Sequence, residues 1–481
     1  MVSQDLATLD ATAQAELVRN GEATPSELVE AAIARIEKLN PQLNAVIHSR
    51  FEEARQEAAS ADLPDGPFRG VPFLLKDLGG NLAGAPYHAG MALLKRHDFR
   101  SERDSFLTER LRRAGFVILG RTNTPELGLS PTTEPAAHGP TRSPWDAAHS
   151  PGGSSGGASA AVASGMVPAA HASDGGGSIR IPASHAGLVG LKPSRGRITF
   201  GPDLGDRWNG FSAELVVTRT IRDTAGILDV VHGPAPGDPY FALPPERPYR
   251  DSAAADPGRL RIGLLDHGPR GIEIDPECAA AAQAGADALR SLGHDVVESH
   301  PDALEDPEIA VAVATVISCN TARALDAWGE KLGVSVTADD VEPMTWALAE
   351  IGRGMSSSQL LRGIELVHRL SRRMAAWWES GFDLLLTPTC GEPPPLLGRL
   401  DPQEGNPLAG FAGAAIFAVF TSPFNASGQP AISLPVHWTP DGLPVGAQLV
   451  GAANREDLLL SVGTQLERAL PWADRRPPVH A

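Results

Sequence analysis

The spacing of apolar residues near the N-terminus predicts a long amphipathic helix. Thr24 and Glu27 form a capping-box pair around Pro25, which suits the first position of a helix. Beyond that start, apolar residues recur at the interval that places them on one helix face: Leu28, Ala32, Ile33 and Ile36. Residues 1–65 are therefore predicted to be a mostly helical part of the chain.

Short apolar runs further along the chain predict strands. The clearest lies within residues 70–77, where a nearly unbroken apolar run follows Gly70 and ends at a charge. A helix over 106–114 leads into a second strand at 116–119, and further strands are predicted at 261–265, 383–387 and 431–436. Helices alternate with these strands, which favours an α/β fold in which helices flank a parallel or mixed sheet. Residues 233–257 are rich in Ala and Pro and predict a surface excursion.

Glycine, serine and alanine are concentrated between residues 150 and 180. Glycine leaves backbone amides uncovered, so a glycine-rich segment can line a concavity that binds an anion or an oxyanion. Ser154 and Ser178 would lie inside such a concavity. A flexible linker is the competing interpretation, but the apolar stretch 158–167 lacks the polarity of a linker. The glycines in question are Gly152, Gly153, Gly156, Gly157, Gly175, Gly176 and Gly177.

Three kinds of site could use this stretch. The spacings of the phosphate-binding glycine loops are absent. Residues 152–156 match the nucleophile elbow G-x-S-x-G, but that motif follows a buried strand, and residues 141–151 are polar and interrupted by proline. The third kind is a serine hydrolase whose base is a lysine in place of histidine.

Lys76 is the candidate base, because it ends the apolar run within residues 70–77. Burial disfavours an ammonium ion and can lower the pKa of a lysine by several units from its usual value of about 10.4. A lysine at the end of an exposed edge strand is the alternative interpretation of this residue.

Four motifs together resemble the amidase signature family. They are GVPFLLKD at 70–77, SPGGSSGG at 150–157, SDGGGSIRIP at 173–182 and GLVGLKPSRG at 187–196, and weaker matches at 422–435 and 442–451 extend the resemblance to nearly the full chain. The resemblance implies an α/β/α fold with a central mixed β-sheet flanked by helices. It also implies one compact unit over residues 1–481, with a helical part at about 1–65, a catalytic core at about 66–200 and a variable substrate-pocket part at about 250–440.

The same resemblance implies a Ser–cisSer–Lys triad. Ser178 matches the nucleophile, Ser154 the bridging serine after a cis peptide bond from Gly153, and Lys76 the base. The backbone amides of Gly175, Gly176, Gly177 and Ser178 match the oxyanion hole, whose individual donors are typically worth about 3–4 kcal/mol of barrier. Ser155, Asp174 and Arg180 match supporting positions.

The composition and net charge of the chain exclude some kinds of binding partner. The chain has 481 residues, of which 42% are hydrophobic, and a formal net charge of −17. Nucleic acid and anionic membrane are not expected as partners, because binding phosphates requires concentrated Lys and Arg. The N-terminal segment lacks the pattern of a secretory signal, and no apolar run reaches the length of a transmembrane span, so a cytoplasmic location is expected. A homodimer stays open as an assembly.

Neither a cofactor nor a metal is expected from the cysteines. Cys278, Cys319 and Cys390 are odd in number and widely spaced, which is typical of neither a disulfide framework nor a zinc site.

The sequence features that bear on the substrate are less specific than the catalytic motifs. Residues 305–380 form a helical tract that could wall the pocket, and its tryptophans, Trp328, Trp346, Trp377 and Trp378, are expected in the core rather than in the pocket. Segments 10–22, 133–146 and 455–472 resemble a branch of the family that hydrolyses aminohexanoate oligomers, and this implies a small linear or cyclic amide as substrate and Cys319 as a substrate contact.

Three alternatives stay open at this point. The chain could hydrolyse urethanes, aryl esters or anilides on the same fold. It could instead be the glutaminase subunit of an amidotransferase complex. A binding protein without catalysis is disfavoured, because Lys76, Ser154 and Ser178 are all present.

Overall fold

The computed structural model describes residues 3–481, and over these residues the chain folds around one sheet. Its eleven strands in the described part are β1 (Val46–Ser49), β2 (Pro72–Lys76), β3 (Val117–Thr122), β4 (Ala169–Asp174), β5 (Val189–Lys192), β6 (Ala213–Thr218), β7 (Arg261–Leu264), β8 (Asp295–Glu298), β9 (Leu384–Pro388), β10 (Ala431–Trp438) and β11 (Pro444–Gly451).

Many of the described helices pack against this sheet. The helices are α1 (Ser3–Thr8), α2 (Ala11–Arg19), α3 (Pro25–Leu43), α4 (Phe51–Ala59), α5 (Ala92–Arg96), α6 (Phe106–Arg113), α7 (Gly156–Ala163), α8 (Arg180–Ala186), α9 (Ile221–Val231), α10 (Tyr249–Ala254), α11 (Pro276–Ser291), α12 (Glu308–Leu332), α13 (Pro343–Gly354), α14 (Ser357–Glu379), α15 (Ala409–Ala418), α16 (Ser422–Ser427) and α17 (Glu456–Ala469). Among those that pack against the sheet are α3, α4, α7, α8, α9, α11 and α17, whereas α12, α13 and α14 pack mainly on one another.

The sheet is mixed, which confirms the predicted α/β class. The strand order is β1-β3-β2-β4-β6-β5-β10-β11-β9-β7-β8. Strand β2 runs parallel to both β3 and β4, and β7 runs parallel to β8 and β9, while the remaining pairs are antiparallel. The carboxyl ends of β2 and β4 therefore meet at one edge of the sheet.

The local elements predicted from the sequence are present in the structure, with small changes in where they begin and end. The capping box around Pro25 forms, with Thr24 and Glu27 bonded in both directions. Strand β3 continues to Thr122, past the predicted end at 119, because it is buried throughout and pairs with β2 up to Lys76. Residues 233–248 are mostly exposed, as the Ala- and Pro-rich composition predicted.

Helix α12 is long and packs mainly against α13 and α14. By length and composition it is the one helix in the described residues that could cross a membrane. The contacts with α13 and α14 are those expected of a core helix in a water-soluble fold, and its apolar side chains also wall a cavity described below.

We expect the seam between α12 and α13 to be intolerant of added volume at Gly352. A Cβ there would lie 2.2 Å from the Ser318 backbone oxygen, and backbone cannot move aside as a flexible side chain can. Gly352→Ala should therefore lower the free energy of unfolding by about 1–3 kcal/mol in urea titrations.

Gly354, two residues further on, provides the matched control. A Cβ at Gly354 meets nothing within 4 Å. Gly354→Ala should leave stability within about 0.5 kcal/mol of the wild-type value. Equal stabilities of the two variants would contradict the close approach of α12 and α13.

Candidate active site

An apolar cavity of about 350 Å³ opens beside the carboxyl ends of β2 and β4. Helices α12 and α15 each contribute five of its lining residues, and Gly176 and Ser178 lie at its surface. Its lining is largely aliphatic, with Arg270 as the charged residue. The lining residues are Gly128, Leu129, Ser130, Pro131, Gly176, Ser178, Ile181, Trp208, Arg270, Ile309, Ala310, Val313, Ala314, Ile317, Phe411, Ala412, Ala414, Ala415, Ala418, Val419, Ser422 and Pro423.

Lys76 is the last residue of β2 and is completely buried. Its Nζ lies 2.7 Å from the Oγ of Ser154, 3.0 Å from that of Ser155 and 2.9 Å from that of Ser173. The strand delivers Lys76 to this position because β2 is flanked on both sides by parallel partners and ends at the same edge as β4.

The three hydroxyls around Lys76 fit an uncharged amine. A neutral amine has two N–H donors and one lone pair. The Ser155 hydroxyl reaches the Ser173 carbonyl at 3.3 Å, so its oxygen is left to accept from Lys76. If the second N–H is donated to Ser173, the lone pair faces Ser154. In that arrangement Lys76 can take a proton from the Ser154 hydroxyl.

Burial is also the main electrostatic influence on Lys76. It lowers the pKa of the ammonium group to about 7, against the opposing effect of the Asp174 and Glu214 carboxylates, while Arg207 lowers that pKa further. A substantial fraction of Lys76 is therefore uncharged at neutral pH, as a general base requires.

Ser154 follows a cis peptide bond from Gly153, as the family resemblance implied. A Cβ on Gly153 would lie 2.3 Å from the Thr132 backbone oxygen, so this position has room only for glycine. Ser154 itself is 2% exposed, and the residues after it begin α7. The glycine-rich segment at 150–157 is thus a tightly packed turn and not a linker.

The loop that carries Ser178 is held by the Asp174 carboxylate. Asp174 ends β4 and accepts hydrogen bonds from the backbone amides of Gly177 at 2.7 Å and Ile179 at 3.2 Å. The Gly177 amide is therefore engaged, which corrects its predicted place among the oxyanion donors. The amides of Gly175, Gly176 and Ser178 stay as candidates.

The guanidinium of Arg180 binds the same Asp174 carboxylate. It donates to both Asp174 oxygens at 2.9 and 3.0 Å and also to Asn425 Oδ1 and Gln448 Oε1. Both members of this ion pair are fully buried. The Arg180 charge, direct hydrogen bonds and the Lys192 charge outweigh burial and lower the pKa of Asp174 to about 2, so the carboxylate stays ionised.

Cys319 lies away from the cavity. Its Sγ contacts the Met355 sulfur at 3.6 Å, on a face of α12 other than the one that lines the cavity. The structure therefore places Cys319 outside the lining of this cavity, because the α12 residues that line it are 309, 310, 313, 314 and 317. None of the four tryptophans of the 305–380 tract lines the cavity either; Trp378 is buried in the core, and Trp328, Trp346 and Trp377 are half-buried and pack against it.

Some contributors to the site lie within the matched motifs at 173–182, 422–435 and 442–451 but were not predicted to take part in it. Ser173 reaches Lys76, and Asn425 and Gln448 bind Arg180 from positions about 250 residues further along the chain. Tertiary pairing alone brings these residues to the site. Asn425 lies within the weak match at 422–435, but nothing in that motif indicates its partner.

Comparison with known proteins is consistent with this geometry. The profile of the Amidase family matches residues 27–460. The chain is 46% identical, over 97% of its length and 96% of the relative, to 6-aminohexanoate-cyclic-dimer hydrolase of Paenarthrobacter ureafaciens.

Solved structures give the same result. The structure of a 6-aminohexanoate cyclic dimer hydrolase complexed with substrate superposes with a TM-score of 0.95 at 45% identity and covers 99% of this chain and 100% of that one. A bacterial aryl acylamidase of the amidase signature family superposes with a TM-score of 0.86 at 29% identity, covering 97% of this chain and 98% of that one.

We expect the Asp174–Arg180 pair to be indispensable for stability. Asp174→Ala would leave a fully buried guanidinium without its carboxylate, which typically costs about 3–5 kcal/mol. Urea unfolding of the purified variant measures the loss.

The exposed pair Arg323–Glu330 supplies the control, since its side chains are 63% and 69% exposed. Glu330→Ala should cost less than about 1 kcal/mol. A loss at Asp174 no larger than that at Glu330 would show that the loop does not depend on this carboxylate.

Proposed function

The chain belongs to the amidase family, and on that premise we propose that it cleaves the C–N bond of small amides through Ser178, Ser154 and Lys76. The observation that carries the proposal is the 2.7 Å contact between Lys76 Nζ and Ser154 Oγ at a fully buried strand end. Ser178 lies at the surface of the neighbouring cavity, where a substrate carbonyl can reach it.

Acylation proceeds as a proton relay. Neutral Lys76 takes the proton of the Ser154 hydroxyl, which takes the proton of Ser178 as the Ser178 Oγ bonds to the carbonyl carbon. Negative charge develops on the carbonyl oxygen, and in this proposal the amides of Gly175, Gly176 and Ser178 stabilise it. The relay then runs in reverse. Ser154 gives its proton to the leaving nitrogen, the C–N bond breaks, and Lys76 returns its proton to Ser154.

Deacylation uses the same groups on water. A water molecule in the place of the departed amine gives a proton to Ser154 while Ser154 gives its own proton to Lys76, and the water oxygen bonds to the acyl carbon. Breakdown of this second intermediate releases a carboxylic acid and returns the proton to Ser178. No cofactor takes part in these steps.

The lining of the cavity supports an aliphatic amide as substrate. Alanine and branched aliphatic side chains of α12 and α15 leave room for a methylene chain and offer it few polar partners. Two of the relatives described above act on 6-aminohexanoate cyclic dimer by name. We therefore propose linear or cyclic amides of the aminohexanoate type as substrates of this chain.

Aryl amides form a second candidate class. An apolar cavity of this kind also admits an aromatic ring, and one of the structural neighbours is an aryl acylamidase. Urethanes and aryl esters would follow the same relay with better leaving groups. A panel of aliphatic, cyclic and aryl amides with matched carbamates and esters ranks these classes.

A role as a glutaminase subunit is less well supported. Glutamine carries an ammonium and a carboxylate next to each other, and binding both requires paired polar groups. The cavity offers Arg270 and otherwise mainly apolar side chains. The purified chain alone should therefore hydrolyse simple amides without a partner subunit and leave glutamine unchanged.

We also propose that it acts in the cytoplasm.

Ser178→Ala tests the nucleophile directly. The variant should fold normally but lose at least about a thousandfold in turnover, and a slow substrate should no longer add its acyl mass to the protein in intact-mass spectrometry. Ser159→Ala, which removes a buried hydroxyl that lacks a hydrogen-bond partner, is the matched control and should keep its activity. Normal acyl trapping in Ser178→Ala would refute the assignment.

The pH dependence tests Lys76. Because its pKa is lowered to about 7, the neutral fraction should fall about tenfold per pH unit below that value. We expect kcat/KM on an amide to rise with pH through an inflection near 7 and then to level off.

Lys192 provides the control for this profile, since burial also lowers its pKa to about 7. The inflection should persist in Lys192→Met, whereas Lys76→Met should be inactive. If the inflection disappeared in Lys192→Met, the titrating group would be Lys192 and not Lys76, and this would contradict the proposal.

A further inference from the structure

Three histidines from distant parts of the chain converge beside the catalytic strand. His48 lies in β1, His88 in the loop between β2 and α5, and His138 in the segment that follows β3. His48 Nε2 lies 3.1 Å from His88 Nδ1, which in turn lies 3.3 Å from His138 Nε2. One nitrogen of each ring lies within 4.8 Å of the other two.

These nitrogen–nitrogen distances are close to the distances between the ligand atoms of a tetrahedral metal ion. Zinc binds imidazole nitrogen at about 2.0–2.1 Å in tetrahedral geometry, which places two ligand nitrogens roughly 3.3 Å apart. Two of the three pairs already have that spacing, and rotation of one ring can bring the third pair closer. Three histidines that leave a fourth position open form a recurrent zinc-binding set.

Hydrogen bonding alone does not satisfy this arrangement. A neutral imidazole carries one N–H and one lone pair. If His88 Nδ1 carries the proton, it can donate to only one of the two ring nitrogens that face it. If Nδ1 carries the lone pair, that single lone pair faces two ring nitrogens and can accept well from only one of them. A cation at the point of convergence would use the lone pairs of all three rings.

We propose that His48, His88 and His138 form a binding site for a divalent transition metal, with Zn²⁺ as the reference ion and water as the fourth ligand. The site would join β1 to the loop that carries His88 and to the segment that carries His138. It is independent of the proposed amide hydrolysis, because none of the three rings touches Lys76, Ser154 or Ser178 in the described contacts.

The charged side chains around the three rings influence how tightly a metal ion is expected to bind. Lys95, Arg121 and Arg100 place positive charge near the rings, and Asp98 places negative charge near His88. Burial and then these cations keep the rings unprotonated, lowering the pKa of His48 to about 3 and those of His88 and His138 to about 4, against the opposing effect of Asp98 on His88. The same cations oppose a metal ion, so an affinity below that of a structural zinc finger is expected.

The site also contacts the catalytic loops through the backbone. The His88 amide donates to Asp77 Oδ1 at 2.9 Å, and Asp77 directly follows Lys76. The neighbouring Ala89 carbonyl accepts from the Leu127 amide at 2.8 Å, one residue before the cavity-lining Gly128. A bound metal would therefore hold the loop that follows the catalytic strand against β1 and the segment that follows β3.

Metal binding to the full-length chain tests the proposal. After dialysis against a chelator, the protein is titrated with Zn²⁺ in competition with a chromogenic chelator, and with Co²⁺ to record the visible absorption of a tetrahedral site. We expect one ion per chain, and His48→Gln and His138→Gln should each weaken binding by about tenfold or more. His368→Gln, at an exposed position on α14, should bind as the wild type does.

Lys95→Met gives a test that leaves all three rings in place. Lys95 is exposed and its Nζ contacts the Ala137 carbonyl, so the variant should fold and should bind Zn²⁺ more tightly, because one opposing charge is removed. Urea unfolding of each variant without metal checks that it is folded. The proposal is overturned if the wild type binds no ion more tightly than His48→Gln and His138→Gln do, or if Lys95→Met leaves the affinity unchanged.

Discussion

The burial of Lys76 is the constraint on which the rest of the site depends. An ammonium ion at a dry strand end is costly, and the chain meets that cost by keeping the amine uncharged and surrounding it with three serine hydroxyls. A more exposed lysine would hold its proton and could not act as a base at neutral pH. A lysine without hydroxyl partners would leave its N–H groups unsatisfied. The features that stabilise the buried amine are therefore the same ones that make it reactive.

A second buried charge is handled in the opposite way. The Asp174 carboxylate stays ionised because Arg180 and the backbone amides of the nucleophile loop all donate to it. This fixes the path of residues 175–178 and consumes one of the amides that could have served the oxyanion. Lys76 and Asp174 end neighbouring parallel strands, so the sheet itself sets the distance between the base and the nucleophile loop.

Sequence reasoning reached the parts of this structure that are encoded locally. The strand ending at Lys76, the capping box at Thr24 and the glycine-rich turns each depend on residues close together in the chain. The Ser173 contact and the Asn425 and Gln448 partners of Arg180 depend on pairing between distant segments, which no spacing shows. The bond from the Gly177 amide to Asp174 spans only three residues, but it depends on the conformation of the loop, which the motif does not show. The same reason explains the misplacement of Cys319, since a shift of one or two residues along a helix turns a side chain to another face. The convergence of His48, His88 and His138 lacks any sequence motif because the three residues are 40 and 50 positions apart.

The central claim is that Lys76 is uncharged near neutral pH in the folded protein, and its titration can be observed directly. The chain has five lysines, so NMR of a sample labelled at lysine Cε resolves few signals, and Lys76→Met and Lys192→Met assign the two buried ones. The result expected is a Lys76 signal that titrates with a pKa of about 7 and disappears in Lys76→Met. A Lys76 signal that titrates near the ordinary lysine value of about 10.4 would contradict the account.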